Sequence, residues 1–145
     1  MNAATDHAAR IAAFFENFTR ADLVRLQDAY TPDARFKDPF HEVRGVVAIE
    51  KIYRRMFETL DEPVFVVTRR MAQGNECWLS WDLEFKFRTW RRHQVQVIHG
   101  ASHLRLADDG RIAAHRDYWD AAEELYEKFP VLGPLMRWLK RRASS

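Results

Sequence analysis

The sequence predicts an α+β domain with helices laid against one face of an antiparallel or mixed sheet. Three observations lead there. Apolar residues recur at helical spacing in the first sixty residues, polar and apolar residues alternate almost strictly from Glu76 to Trp90, and strand-like segments separated by turn signals follow one another after Pro63. A chain of 145 residues suits one domain, and we read residues 1–145 as one, with a core over about 8–125 and a C-terminal helical extension over 120–142.

Thr5 and Asp6 are N-cap residues for a first helix whose Ile11, Phe14, Phe15 and Phe18 make one apolar stripe. Asp22 caps a second, shorter helix with Leu23, Val24, Leu26 and Tyr30, and Thr31-Pro32-Asp33 ends it. Arg35 to Asp38 is a short strand stopped by Pro39, followed by a loop through His41 to Gly45. From Val46 to Leu60 the apolar positions Ile49, Ile52, Tyr53, Met56, Phe57 and Leu60 keep a helical period.

The second half supplies a sheet for these helices. Val64 to Met71 is a β-branched strand between Pro63 and Gly74. In Glu76 to Trp90, Leu79, Trp81, Leu83, Phe85 and Phe87 face one way, while Ser80, Asp82, Glu84, Lys86 and Arg88 face the other. Gln94 to Leu106 and Arg111 to Asp117 are antiparallel neighbours joined by the turn Ala107-Asp108-Asp109-Gly110, and Gly100 in mid-strand predicts a bulge or bend. Asp120 and Glu123 form a capping box for a helix toward Lys128. After Pro130, Gly133 and Pro134, a final amphipathic helix carries Leu135, Met136, Trp138 and Leu139.

Charge is nearly balanced, 23 Lys plus Arg against 21 Asp plus Glu, so no nucleic-acid partner is expected, despite the cluster Arg137, Lys140, Arg141 and Arg142. Cys77 is the single cysteine and allows no intrachain disulfide. The first residues lack the pattern of a signal peptide, and no apolar run approaches the roughly 20 residues that span a bilayer. A cytoplasmic protein is expected. His99 and His103 lie about 13 Å apart along a strand, too far to share an ion, so no metal is expected.

Ala29-Tyr-Thr-Pro-Asp-Ala-Arg-Phe-Lys-Asp-Pro-Phe40, Gly45 opening a helix, Asp109-Gly-Arg-Ile112 and then Asp117-Tyr-Trp-Asp120 together resemble the NTF2-like superfamily, which includes SnoaL-like proteins, ketosteroid isomerases and limonene epoxide hydrolases. The resemblance implies a bent sheet wrapped around the N-terminal helices as a cone, a small lipophilic ligand in its mouth, and a homodimer through the outer sheet face. It places the aspartate base of the ketosteroid isomerases on Asp38 and their supporting helix tyrosine on Tyr53, but their two oxyanion donors on Phe14 and Ser102. It places the last-strand aspartate of the epoxide hydrolases on Asp117, their tyrosine on Phe36 and their asparagine on Asp38.

Within such a cone Asp38, Asp117, His115 and Tyr53 are the candidate catalytic residues, and Phe14, Phe18, Met56, Trp81, Phe85, Ser102 and Trp119 the candidate pocket lining. Two carboxylates in one apolar cavity suit proton transfer, one as base and one as acid. The plainer reading pairs Asp117 with Arg44 or Arg69 as buried structure, makes His115 a hydrogen-bonded core histidine and leaves Asp120 a helix cap. The expected function is cofactor-independent acid–base chemistry on a small lipophilic, oxygenated molecule. A non-catalytic carrier of an apolar ligand and a dimeric interaction module are the alternatives. The basic tail is expected to cap the cone or a dimer rather than to touch a membrane.

Overall fold

The computed structural model describes residues 3–126 and 132–144. Helix α1 (Ala3–Glu16) starts ahead of the expected caps, so Thr5 and Asp6 sit inside its first turns. Thr19, not Asp22, caps the short 3-10 helix Arg20–Arg25. Asp22 is its third residue, and its carboxylate accepts from the Thr19 backbone N–H and hydroxyl, each at 2.8 Å. Helix α2 (Leu26–Ala29) runs directly into strand β1 (Tyr30–Lys37), so Tyr30 and Thr31-Pro32-Asp33 belong to a strand. Pro32 lies where the β1 register breaks, a position at which the ladder tolerates a missing N–H.

The expected loop after Pro39 holds a short strand, β2 (Glu42–Arg44), and α3 (Val46–Thr59) follows as expected. Strand β3 (Leu60–Gln73) begins at the end of α3, with Pro63 and the positive-φ residue Glu62 at a register break of an edge strand. Strands β4 (Glu76–Phe87), β5 (Gln96–Leu106) and β6 (Ile112–Tyr118) complete the sheet. Asp120 caps the short helix α4 (Ala121–Glu124), accepting from the backbone N–H groups of Ala122 and Glu123. The helix ends at Glu124 with Leu125 as its C-cap, short of the expected Lys128, and residues 127–131, Pro130 among them, lie outside the described residues. Helix α5 (Leu132–Ala143) is the final amphipathic helix and takes Gly133 and Pro134, expected ahead of it, into its first turn, where the missing proline N–H costs no helical bond. Among the described residues no helix is long and apolar enough to cross a membrane.

The sheet order is β2-β1-β6-β5-β4-β3, with β1–β6 parallel and every other pair antiparallel. The α+β class is as expected, and the sheet stays open, with β2 and β3 as its edges. Helix α3 nevertheless packs on both β1 and β3, which lie on either side of three intervening strands. Only a sheet bent around the helix can present both to it. The apolar stripes meet there: Ile11 and Phe15 from α1, Phe18 just past its end, Ile49, Tyr53 and Phe57 from α3, and Leu79, Trp81, Leu83 and Phe85 from β4 are buried together.

The alternation of β4 holds through Phe85, while Phe87 is only partly buried, against Phe85 and Trp90. Arg88 leaves the outer face altogether and donates to the carbonyls of Phe57 and Leu60 at 2.9 and 3.2 Å, closing the end of α3. On the outer face the charges find partners within the chain, Asp82 with His99 at 2.6 Å and Lys86 with Glu62 at 2.8 Å.

No bulge occurs at Gly100. The β4–β5 register runs through it unbroken, with Trp81 directly opposite, and a Cβ at residue 100 would overlap the Trp81 indole. Glycine there makes room for a ring. Gly100→Ala is therefore expected to cost about 1–3 kcal/mol by overpacking, read as a lower urea midpoint at unchanged m-value.

Candidate functional site

The parallel register of β1 and β6 pairs Phe36 with His115 and Lys37 with Arg116. Continued by one residue, it sets Asp38 beside Asp117. Both strands alternate, so Phe36, Asp38, His115 and Asp117 share the inner face. On the other side of β6, Asp117 is opposite Ser102 of β5, which is opposite Leu79 of β4.

These positions build one line of hydrogen bonds across the inner wall. Trp81 Nε1 donates to Ser102 Oγ at 2.8 Å, and Ser102 donates to Asp117 Oδ1 at 2.5 Å. His115 Nε2 lies 2.6 Å from the same Oδ1, and His115 Nδ1 lies 2.6 Å from the Tyr30 hydroxyl. Tyr30 in turn meets the Tyr53 hydroxyl at 3.0 Å. An indole N–H can only donate, so the Ser102 proton must point to Asp117. With neutral His115 donating through Nε2, Nδ1 accepts from Tyr30 and Tyr30 accepts from Tyr53. Every donor then faces Asp117. Burial pushes the Tyr30 phenol well above its ordinary range, with neighbouring Tyr53 and Asp117 adding to it. Burial does the same at Tyr53, and the charges of Asp117 and Asp38 both contribute.

Asp117 is the outlet of this line. Its side chain is 17% exposed where that of His115 is 4%, and among the described residues all its hydrogen bonds end on Oδ1. Oδ2 has no hydrogen-bond partner among the described residues. Arg44, considered above as a partner for Asp117, instead approaches Asp33 at 3.5 Å, and Arg69 sits on β3 opposite Ser80.

Asp38 is held differently. Its Oδ1 accepts from the backbone N–H groups of Phe40 and His41 at 2.8 and 2.6 Å, and His41 Nδ1 lies 3.0 and 3.1 Å from its two oxygens. It is the organising acceptor of the turn after β1 as well as part of a cavity wall.

That cavity has a volume of about 280 Å³, and its lining includes Asp38, His41, Tyr53, Met56, Trp81, Phe85, Asp117 and Trp119. At its inner end a small pocket reaches Phe15, Ser102 and His115. Thus most expected site residues converge. Two do not: Phe14 faces a separate groove outside α1, with Arg25 over its ring, and Phe18 is core, packed on Tyr53 and Phe57. Phe15 takes the place expected of Phe14. Tyr30 and His41 were not foreseen as site residues. For His41 a signal existed, the Asp-Pro-Phe-His spacing of a side-chain-capped turn, whereas nothing local marks Tyr30.

A SnoaL-like domain family matches residues 11–115. No curated protein sequence matches the chain significantly. The fold is similar to that of an LEH-like epoxide hydrolase from M. tuberculosis, at 19% identity and TM-score 0.69 over 85% of this chain and 89% of that one. It is also similar to a protein of ketosteroid isomerase-like fold from Catenulispora acidiphila in complex with trimethylamine, at 14% identity and TM-score 0.70 over 83% and 89%. A candidate SnoaL-like polyketide cyclase from a Jannaschia species gives 16% identity and TM-score 0.68 over 83% and 87%. At these identities the likeness shows the NTF2-like fold alone. The family match spans more than half of the chain, which belongs to the SnoaL-like domain family.

Proposed function

We propose that the cavity performs cofactor-independent acid–base chemistry on a small lipophilic, oxygenated molecule, with Asp117 as the group that exchanges a proton with it. One observation carries the reading: a polar line through an apolar core ends on one oxygen of a single carboxylate, and the residue that bears it lines the cavity. Such a line is costly to bury, and a core histidine alone would not need it.

The line also has a direction that can reverse. With neutral His115, Tyr53 gives its proton to Tyr30 and offers the ligand only an oxygen lone pair. If His115 is protonated on both nitrogens, Nδ1–H donates to Tyr30, Tyr30 to Tyr53, and the Tyr53 proton turns into the cavity. A proton taken up beside Asp117 is then matched by a hydrogen-bond donor for a ligand oxygen. Asp38 with His41 supplies a second carboxylate and imidazole at the same cavity.

A carrier role is the second reading. It is favoured by the engagement of both Asp38 oxygens in their own turn and by the mostly aromatic wall. It predicts a small apolar molecule that copurifies unchanged and is retained by Asp117→Asn.

Turnover should be sought across steroid enones, polyketide-like aldols and epoxides. For any activity found, Asp117→Asn is expected to lower kcat by about 10²-fold or more, and His115→Gln to lower it while altering the pH profile. Full activity in both Asp117→Asn and Asp38→Asn, with folding verified by circular dichroism, would rule the mechanism out. A second expectation concerns the phenols. Two of the four tyrosines, Tyr30 and Tyr53, should remain un-ionised in the folded protein during alkaline titration followed at 295 nm. Because their folded pKa values are raised, the unfolded chain loses these protons first. Stability from them is complete below the ordinary phenol value of 10.0 and falls as pH rises past it.

A further inference from the structure

The outer face of the sheet carries a cluster that the cavity does not use. Strand register sets Arg44, Arg35, Ala114, Arg105 and Glu76 side by side across β2, β1, β6, β5 and β4. The next outward row is Glu42, Lys37, Arg116, His103 and Trp78. Five fixed cations from four strands thus surround the short Ala114 side chain, against the two carboxylates of these rows and that of Asp33 beside Arg44. The result is a groove of about 560 Å³ whose lining includes Arg35, Lys37, Arg44, Arg105 and Arg116.

The carboxylates neutralise only part of this charge. Glu42 approaches Lys37 at 3.8 Å, Asp33 approaches Arg44 at 3.5 Å, and Glu76 approaches His103 at 3.4 Å. Among the described residues Arg35, Arg105 and Arg116 have no carboxylate partner, and Arg116 lies over the Tyr118 ring at 4.6 Å. Guanidinium groups brought together over Ala114 would repel one another unless an anion were shared between them. Arg35 and Arg105 stand on backbones about 10 Å apart with the low Ala114 between them, a span that two arginine forks can bridge onto one tetrahedral oxyanion. The chain's overall charge of +2 argues against a polymeric partner and for a compact one.

We propose that this groove over Ala114 is a second binding site, taking a small phosphate-bearing anion through Arg35, Arg105 and Arg116. It is independent of the cavity, since the sheet separates the two.

Pyrophosphate is the probe, followed by calorimetry and by amide shifts in nitrogen–proton spectra of the full chain. Saturable one-to-one binding with Kd below a millimolar is expected, with shifts centred on residues 35, 105, 114 and 116. Arg35→Gln with Arg105→Gln should weaken it at least tenfold. Ala114→Leu, which keeps every charge but fills the floor of the groove, should do the same. Arg91→Gln with Arg92→Gln removes equal charge from the β4–β5 loop and should leave Kd within twofold. If the double arginine variant loses its fold by circular dichroism, Ala114→Leu decides alone. Absence of saturable binding overturns the site, as does equal weakening by the loop variant, or undiminished binding in Ala114→Leu. So does light scattering that shows a dimer which Ala114→Leu splits, because the groove is then a subunit interface. Tighter binding of a single-stranded oligonucleotide than of pyrophosphate also overturns it.

Discussion

The structure depends on the one parallel pairing in its sheet. Parallel neighbours cannot be joined by a tight turn, and here the connection from β1 to β6 takes in α3 and the whole β3-β4-β5 meander. That pairing alone brings Asp38 to Asp117 and lays Tyr30, at the start of β1, within reach of His115. The candidate site is therefore assembled from the two ends of the fold. Its geometry exists only once the sheet has closed this long-range contact, whereas the antiparallel ladder β3-β4-β5-β6 is built from neighbours in sequence.

The second constraint is the polarity of the core. Between Phe15, Phe36, Phe65 and Trp81 the fold buries an indole N–H, a serine, an imidazole and two phenols. Each would be costly unpaired, and each has a partner because the strands set the partners in register. Ser102 is opposite Asp117, and Trp81 leans one pair along because Gly100 opposite it offers no side chain. The Trp81 indole thus depends on an absent methyl group as much as on its own hydrogen bond.

Much of this was legible in the sequence, for reasons that differ by element. The alternation of β4 and the stripe of α3 reflect periods of 2 and 3.6 and translate directly into buried faces. Asp117 and His115 follow from the same alternation in β6. The sharing of one cavity by Asp38 and Asp117 rested on resemblance, since no local pattern encodes a parallel register. Phe14 and Phe15 are about 100° apart on a helix, and both fit a stripe through Ile11 and Phe18, so only the position of the sheet decides that Phe15 faces in. Tyr30 reads locally as the end of a helix; the tertiary pairing with Ile112 makes it a strand residue. Gly100 has the composition signal of a bulge, but its cause is a ring on the neighbouring strand.

The two faces of β6 carry opposite chemistry at adjacent residues. His115 and Asp117 point inward, Arg116 and Tyr118 outward, and Lys37 and Arg116 stand beside Asp38 and Asp117 in sequence without sharing their side of the sheet. The pleat thus keeps an acid and a cation apart although their backbones are neighbours. This is why Asp117 takes its hydrogen bonds from Ser102 and His115 rather than from an arginine. An arginine partner would hold the carboxylate ionised and occupy both its oxygens, as a fork does. A serine and an imidazole converging on Oδ1 leave the other oxygen without a partner among the described residues. A one-residue slip of β6 would exchange the faces, placing Arg116 in the apolar core and the acid among the outer cations. The apolar packing that fixes this register is thus also what keeps Asp117 on the cavity side of the sheet.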